Sequence, residues 1–155
     1  MRLISLLNLK IYALNIMIKK NTTKKAPIPV GNYPHSVEIG GMLYLSGIGP
    51  RNYLDNSVPE NEYDINGDLI NYDIEKQTHA VFGNIKTILE ESNSSWKNLI
   101  DITVFLTDMK NDFKKFNDIY NLYFPEANVC RTTVEVNALP TDIAIELKCI
   151  ALINK

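Results

Sequence analysis

The chain has 155 residues, 45% of them hydrophobic and 22% charged, which is the size and balance of one globular domain and argues against a disordered chain or a membrane protein. Six of its 16 Lys and Arg residues (Arg2, Lys10, Lys19, Lys20, Lys24, Lys25) precede Ala26 and no acidic residue occurs before Glu38, so from residue 26 onward ten basic residues face 18 acidic ones, a body charge of about −8 that repels phosphate backbones. Two cysteines, Cys130 and Cys149, without C-x-x-C spacing, give neither a disulfide framework nor a cysteine zinc site, and are read as buried thiols in a reducing, cytoplasmic setting.

Residues 1–25 read as a basic leader. Their apolar run around residues 3–9 is broken by Asn8 and Lys10, too short for a span of about 20 residues, and leads to no small-residue cleavage site. Three readings stay open: a disordered leader, a basic acid-free organelle address, or an upstream start with Met17 as the first residue. From residue 26 to 155 a single domain follows. Two β-leaning runs, 36–39 and 42–46, flank Gly40-Gly41, which predicts a hairpin. Residues 49–73 are rich in Asn, Asp, Pro and Gly without a sustained period and predict a long surface loop, with a turn at Asp64-Ile-Asn-Gly.

Val81, Ile85, Ile88 and Leu89 recur at helical spacing and predict a helix over 75–91. Residues 100–106 are β-branched and alternate, as a strand does. Phe113, Phe116, Tyr120 and Tyr123 predict a second helix over 112–124, with Asp112 as its N-cap. Two strands close the chain, 131–136 and 143–153, parted by a turn at Pro140. The order is β-β-α-β-α-β-β, an α+β domain. In the last strand Ile143, Ile145, Leu147 and Cys149 share one face and Glu146 lies on the other, while Arg131, Thr133 and Glu135 fall together on theirs. Arg131 and Glu146 are therefore expected on non-core strand faces, bordering one charged groove.

The run Cys130 to Ala151, with its Arg131, its Leu139-Pro140 turn and its closing Ile145-Glu146, resembles the signature of the RidA (YjgF) family of enamine and imine deaminases. Gly31-Asn-Tyr-Pro-His35, Leu45-Ser-Gly47, Gln77, Asn84, Val104-Phe-Leu-Thr-Asp108 and Asp112-Phe-x-x-x-Asn117-x-x-Tyr120 agree in order and spacing, over about residues 26–154. The resemblance implies a chorismate-mutase-like subunit assembled as a homotrimeric barrel, with active sites in clefts between neighbours, no metal and no cofactor, and neither nucleic acid nor membrane as partner. It implies that Arg131 grips the carboxylate of a small imino or enamino acid, for which a planar, permanently charged guanidinium is suited, and that Glu146 handles the attacking water. Tyr33 covers the substrate, Ser46 and Gly47 line the pocket, and Asn117 lies near it. Thr133 stands where the family often carries a reactive cysteine, leaving its main chain for the substrate. Tyr33-Pro-His35 and Arg51 resemble the 2-aminomuconate deaminase-like branch, so His35 and Arg51 are expected to meet the distal charge of a longer acidic enamine, ahead of 2-iminopropanoate or 2-iminobutanoate. The rival readings are a non-catalytic acid-binding trimer, a translation inhibitor or ribonuclease, and a chaperone-like protein.

Overall fold

The computed structural model describes residues 17–154. In chain order they form β1 (Lys19–Asn21), β2 (Ser36–Ile39), β3 (Met42–Leu45), β4 (Glu62–Tyr63), β5 (Leu69–Asn71), α1 (Ile74–Glu91), a 3₁₀ turn (Trp96–Asn98), β6 (Leu99–Leu106), α2 (Met109–Tyr123), β7 (Cys130–Glu135) and β8 (Ile145–Leu152). The expected α+β class is borne out, with three short strands added. Strands β4 and β5 pair inside the expected loop, around the Asp64 turn that Gly67 closes at φ 87°. Strand β1 pairs with β2 from Lys19↔Glu38 to Asn21↔Ser36, so the sheet takes in residues ahead of Ala26. A three-residue edge strand is held by main-chain pairing with a Lys19–Glu38 ion pair and an Asn21–Ser36 hydrogen bond, and its lysines carry no apolar alternation to announce it. The three readings of the leader, where they concern residues 1–16, lie outside the described residues.

The main sheet runs β1-β2-β3-β8-β6-β7, antiparallel except for β6–β7, whose parallel pairing requires the crossover that α2 supplies. Asp73 caps α1, its carboxylate accepting from the amides of Glu75 at 2.8 Å and Lys76 at 3.1 Å. Helix α2 begins a turn earlier than expected, because Asp108 rather than Asp112 is its cap, accepting from Asn111 N–H at 3.0 Å. Both aspartates satisfy the capping rule in sequence. The structure turns Asp112 inward instead, where it accepts from the Tyr72 hydroxyl at 2.7 Å and burial lifts its carboxyl above the usual range.

Both helices pack on one face of the sheet. Leu43, Leu45, Ile102, Val104, Leu106, Ile145, Leu147, Cys149 and Ala151 meet Val81, Phe82, Ile85 and Leu89 of α1 and Phe116 and Ile119 of α2 in a single buried cluster. The opposite face carries Val37, Tyr44, Phe105, Val134 and Ile150, none of them buried, and no described helix covers it. Of the two cysteines only Cys149 is a buried thiol, pushed up to about 12 by desolvation and by the Asp101 charge; Cys130, expected inside, is exposed on the helix-free face at the start of β7.

Candidate active site

Register across the three C-terminal strands decides where Arg131 and Glu146 point. Arg131 stands opposite Ile102, which stands opposite Cys149, so Arg131 lies on the helix-covered face. Glu146 stands opposite Phe105, which stands opposite Val134, and lies on the helix-free face. The expectation that both border one groove within a chain is thus corrected. Alternation within a strand tells which residues share a face, but only the pairing register tells which faces of neighbouring strands coincide. Arg131 tolerates the helix side because β7 is the outermost strand, where cover by α2 is incomplete.

The Arg131 half-site is built on aromatic rings. Its guanidinium carbon sits 4.3 Å from the Tyr120 ring centroid and 5.7 Å from that of Phe116, a cation–π platform. Tyr120 is held in turn by stacking on Phe124, with centroids 4.4 Å apart. Among the described residues no carboxylate lies within ion-pair range of Arg131, so the guanidinium fork remains free for an external acid. Asn117 is half-buried on α2, next to Phe116. Val136 N–H donates to Leu106 O at 2.9 Å, which turns the main-chain groups of 132, 134 and 136 toward β6 and those of Arg131, Thr133 and Glu135 to the open edge. The helix-side partner of this edge is Glu135, whose carboxylate accepts from Met109 N–H at 2.7 Å.

The Glu146 half-site is a groove walled by Tyr33, Ser46, Gly47, Tyr44, Pro140 and Lys148. Glu146 is likewise in no ion pair among the described residues, and burial alone raises its carboxyl above the usual range. Gly47 has a sharper role than backbone approach to a ligand. A Cβ there would fall on the Glu146 carboxylate, with the carboxyl carbon at 2.7 Å. Since that carboxylate is the free end of a long side chain, it yields before the backbone does. Gly47→Ala is therefore expected to keep the thermal midpoint within a few degrees while displacing the Glu146 carboxylate and lowering kcat about tenfold or more. Thermal melts and steady-state kinetics on one preparation check both halves.

Tyr33, Ser46 and Gly47 also line an adjoining pocket that contains His35 and Arg51. Tyr33 is 42% exposed, a ring free to close over a ligand. The Ser46 hydroxyl donates to Pro34 O at 2.7 Å, which fixes the turn that carries Tyr33. His35 offers the pocket no free ring nitrogen. It is buried, Thr23 N–H donates to its Nδ1 at 3.2 Å, and Nε2 therefore donates to Pro27 O at 2.9 Å, pinning the segment after β1. Arg51 donates to Ile28 O at 2.8 Å and to Asn56 Oδ1 at 2.9 Å, both neutral acceptors, so its charge is unopposed beside the pocket.

Two residues quoted in the sequence only as matches turn out to hold the site. Asn84 donates to Gly49 O at 3.0 Å and to Arg51 O at 2.9 Å, fixing the loop after Gly47. Gln77, wholly buried, accepts from Ala144 N–H at 2.8 Å and donates to Asn61 at 2.9 Å, anchoring the entry to β8 two residues before Glu146. A polar residue inside an apolar helical stripe is the signal that marks both. No group of three His, Cys, Asp or Glu side chains fit to hold a metal occurs among the described residues, and no described helix is long and apolar enough to cross a membrane.

The family model described as Endoribonuclease L-PSP matches residues 23–153. A RutC family protein of Pyrococcus abyssi is 39% identical over 129 residues, covering 83% of this chain and 92% of its own. The chloroplastic Reactive Intermediate Deaminase A of Arabidopsis thaliana is 31% identical over 144 residues, covering 93% and 71% respectively. The solved structure of Escherichia coli TdcF with bound serine superposes with a TM-score of 0.73 at 29% identity, covering 88% of this chain and 99% of that one. With the family model spanning most of the chain and these relatives following it nearly end to end, the protein is a member of the RidA (YjgF) family.

Proposed function

We propose that the protein is a hydrolytic deaminase of enamine and imine carboxylic acids, acting as a homotrimer whose sites lie between chains. The observation that carries this reading is the placement of an unpaired Arg131 and an unpaired, partly desolvated Glu146 on opposite faces of one sheet. One chain does not bring them to a common substrate; the Arg131 edge of one chain against the helix-free face of another does. That face, with Tyr44, Phe105, Val134 and Ile150, supplies the apolar area for such an assembly. The name of the Arabidopsis relative and the serine bound by the Escherichia coli one, a small molecule with a carboxylate and an amino group, support the same substrate class.

In this reaction the guanidinium of Arg131 binds the substrate carboxylate by two parallel hydrogen bonds and orients the C=N bond. Glu146 takes a proton from water as its oxygen bonds to the imine carbon. That proton passes to nitrogen to give a carbinolamine; the carboxylate then carries the hydroxyl proton to nitrogen as well, C=O forms while the C–N bond breaks, and ammonia leaves a 2-oxo acid. Imines already hydrolyse unaided in water, so orientation and one carboxylate that shuttles both protons are sufficient work. Arg51, charged and held only by neutral acceptors beside the neighbouring pocket, favours an aminomuconate-like acid with a second carboxylate; His35 takes no part. The working compartment is proposed to be the cytoplasm, in keeping with two free thiols. Freshly generated 2-iminobutanoate and 2-aminomuconate, with ammonia release followed against buffer, test this. The wild type should accelerate release and Arg131→Ala should raise KM about 100-fold. Release at the buffer rate by wild type would leave an acid-binding trimer instead.

A further inference from the structure

Between β7 and β8 the chain crosses residues 136–144, and Pro140 in this crossing is one wall of the Glu146 groove. Residues 140–142 are all exposed, so packing does not hold that wall in place. Thr141 sits at φ 72°, a left-handed backbone that a β-branched side chain resists, and Glu60, on the loop that runs from Gly49 into β4, sits at 56°. Such conformations persist only where their surroundings over-determine them. Here the surroundings are a ring of amide hydrogen bonds. Ala144 N–H donates to Gln77 Oε1 at 2.8 Å, which leaves the Gln77 nitrogen to donate to Asn61 Oδ1 at 2.9 Å and the Asn61 nitrogen to donate to Asp142 O at 2.7 Å. The main chain of 142–144 is gripped at its carbonyl end and at its amide end. Gln77 comes from α1, but Asn61 comes from the loop that also carries Arg51. The start of that loop packs on the same segment, since a Cβ on Gly49 would fall 2.9 Å from Ile143 Cδ1.

We propose that Asn61 is a positioning residue for the length of acid the groove accepts: by tying the Arg51 loop to the segment that carries Pro140, it sets the spacing of the two walls beyond the reacting carbon. The inference rests on the deaminase reading for the class of ligand. The amide ring does not depend on that reading. Asn61 itself lies outside the groove wall and acts through residues 140–144. A short acid spends its contacts on its carboxylate and its reacting carbon. A longer one runs on between Pro140 and the pocket beside Arg51, so its binding alone registers how far apart the two loops stand. Preorganised walls spare that longer ligand the cost of ordering them, and Asn61 is the side chain that orders these.

Titration calorimetry with 2-oxobutanoate and with 2-oxoadipate, stable acids of four and six carbons, tests this on the assembled protein whether or not it deaminates. Asn61→Asp keeps the shape and the bond from Gln77 but sets an oxygen against Asp142 O. It should bind 2-oxoadipate about tenfold more weakly and 2-oxobutanoate within about threefold of wild type. Tyr63→Phe removes only the hydroxyl that Asn61 Nδ2 also reaches, at 3.1 Å, and should match wild type with both acids. Thr141→Asn puts a residue that accepts the left-handed backbone where threonine resists it, so in the Asn61→Asp background it should restore 2-oxoadipate binding to within about threefold of wild type. Hydrogen exchange over residues 140–146 should quicken in Asn61→Asp and not in Tyr63→Phe. An equal loss for both acids overturns the proposal, because general loosening of the fold would cause it. Unchanged binding overturns it too, with or without faster exchange, as does a wild type without affinity for 2-oxoadipate or a double variant that recovers nothing. Ammonia release measured in parallel separates the two ideas. Deamination with no Asn61 dependence on acid length leaves the enzyme reading standing alone. Asn61-dependent binding of 2-oxoadipate without deamination leaves the positioning role standing alone.

Discussion

Chains carrying Arg131→Ala and chains carrying Glu146→Gln, coexpressed in equal amounts, should recover about a quarter of wild-type deaminase activity, although each variant alone should fall about 100-fold or more. The expectation follows from sheet register. Arg131 shares its face with Ile102 and Cys149, and Glu146 shares the other with Phe105 and Val134. A site assembled from two chains is intact wherever a chain that keeps Arg131 meets a neighbour that keeps Glu146, which in a random closed ring is about one contact in four. A site contained in one chain has no intact copy in such a mixture, because every chain lacks one partner. Mixing the two purified variants after assembly is the control, and should recover activity only as fast as chains exchange. Activity that stays at the single-variant level in coexpressed, demonstrably mixed assemblies would place both residues in one chain's site and remove the reason for inter-chain catalysis.

The elements were legible because their signals are local. The stripe of Val81, Ile85, Ile88 and Leu89 and the alternation of residues 100–106 and 143–149 appear as α1, β6 and β8 within a few residues. Short features were not: β1 has three residues and no apolar face, and β4–β5 is a hairpin held by its turn. Family resemblance named a set of candidate residues, but not where the fold puts them. Whether Arg131 and Glu146 face each other depends on how β7 registers with β6 and β6 with β8, long-range pairings that single-strand patterns leave free. His35 shows the same limit from another direction. Its ring reads in sequence as a partner for a distal carboxylate, and only the arrival of Thr23 and Pro27 from the segment after β1 uses both nitrogens. Arg51 keeps its place beside the pocket for a complementary reason, since its acceptors are neutral and leave its charge to act.

Glu146→Gln should abolish the acid-side limb of the kcat/KM profile, lower activity about 100- to 10,000-fold, and raise the thermal midpoint at pH 7. Desolvation in the groove raises the carboxyl from its ordinary 4.5, so the folded protein binds this proton more readily than the unfolded chain does. Stability is then greatest while the group is protonated in both states. It falls as pH climbs from the unfolded value through the raised folded one, because the charge must be held where water is scarce. Glutamine carries no charge and escapes that loss. The variant and the wild type should therefore melt together below pH 4.5 and separate with rising pH, the variant higher. The same desolvation that costs the fold stability makes the carboxylate a stronger base than a solvated glutamate. Melting curves from pH 4 to 8 beside the rate profile decide the matter. A variant less stable than wild type at pH 7 would mean that in the assembled protein a cation, for which a neighbour's Arg131 is the candidate, already holds the carboxylate, and the acid limb should then lie below the ordinary carboxyl range rather than above it.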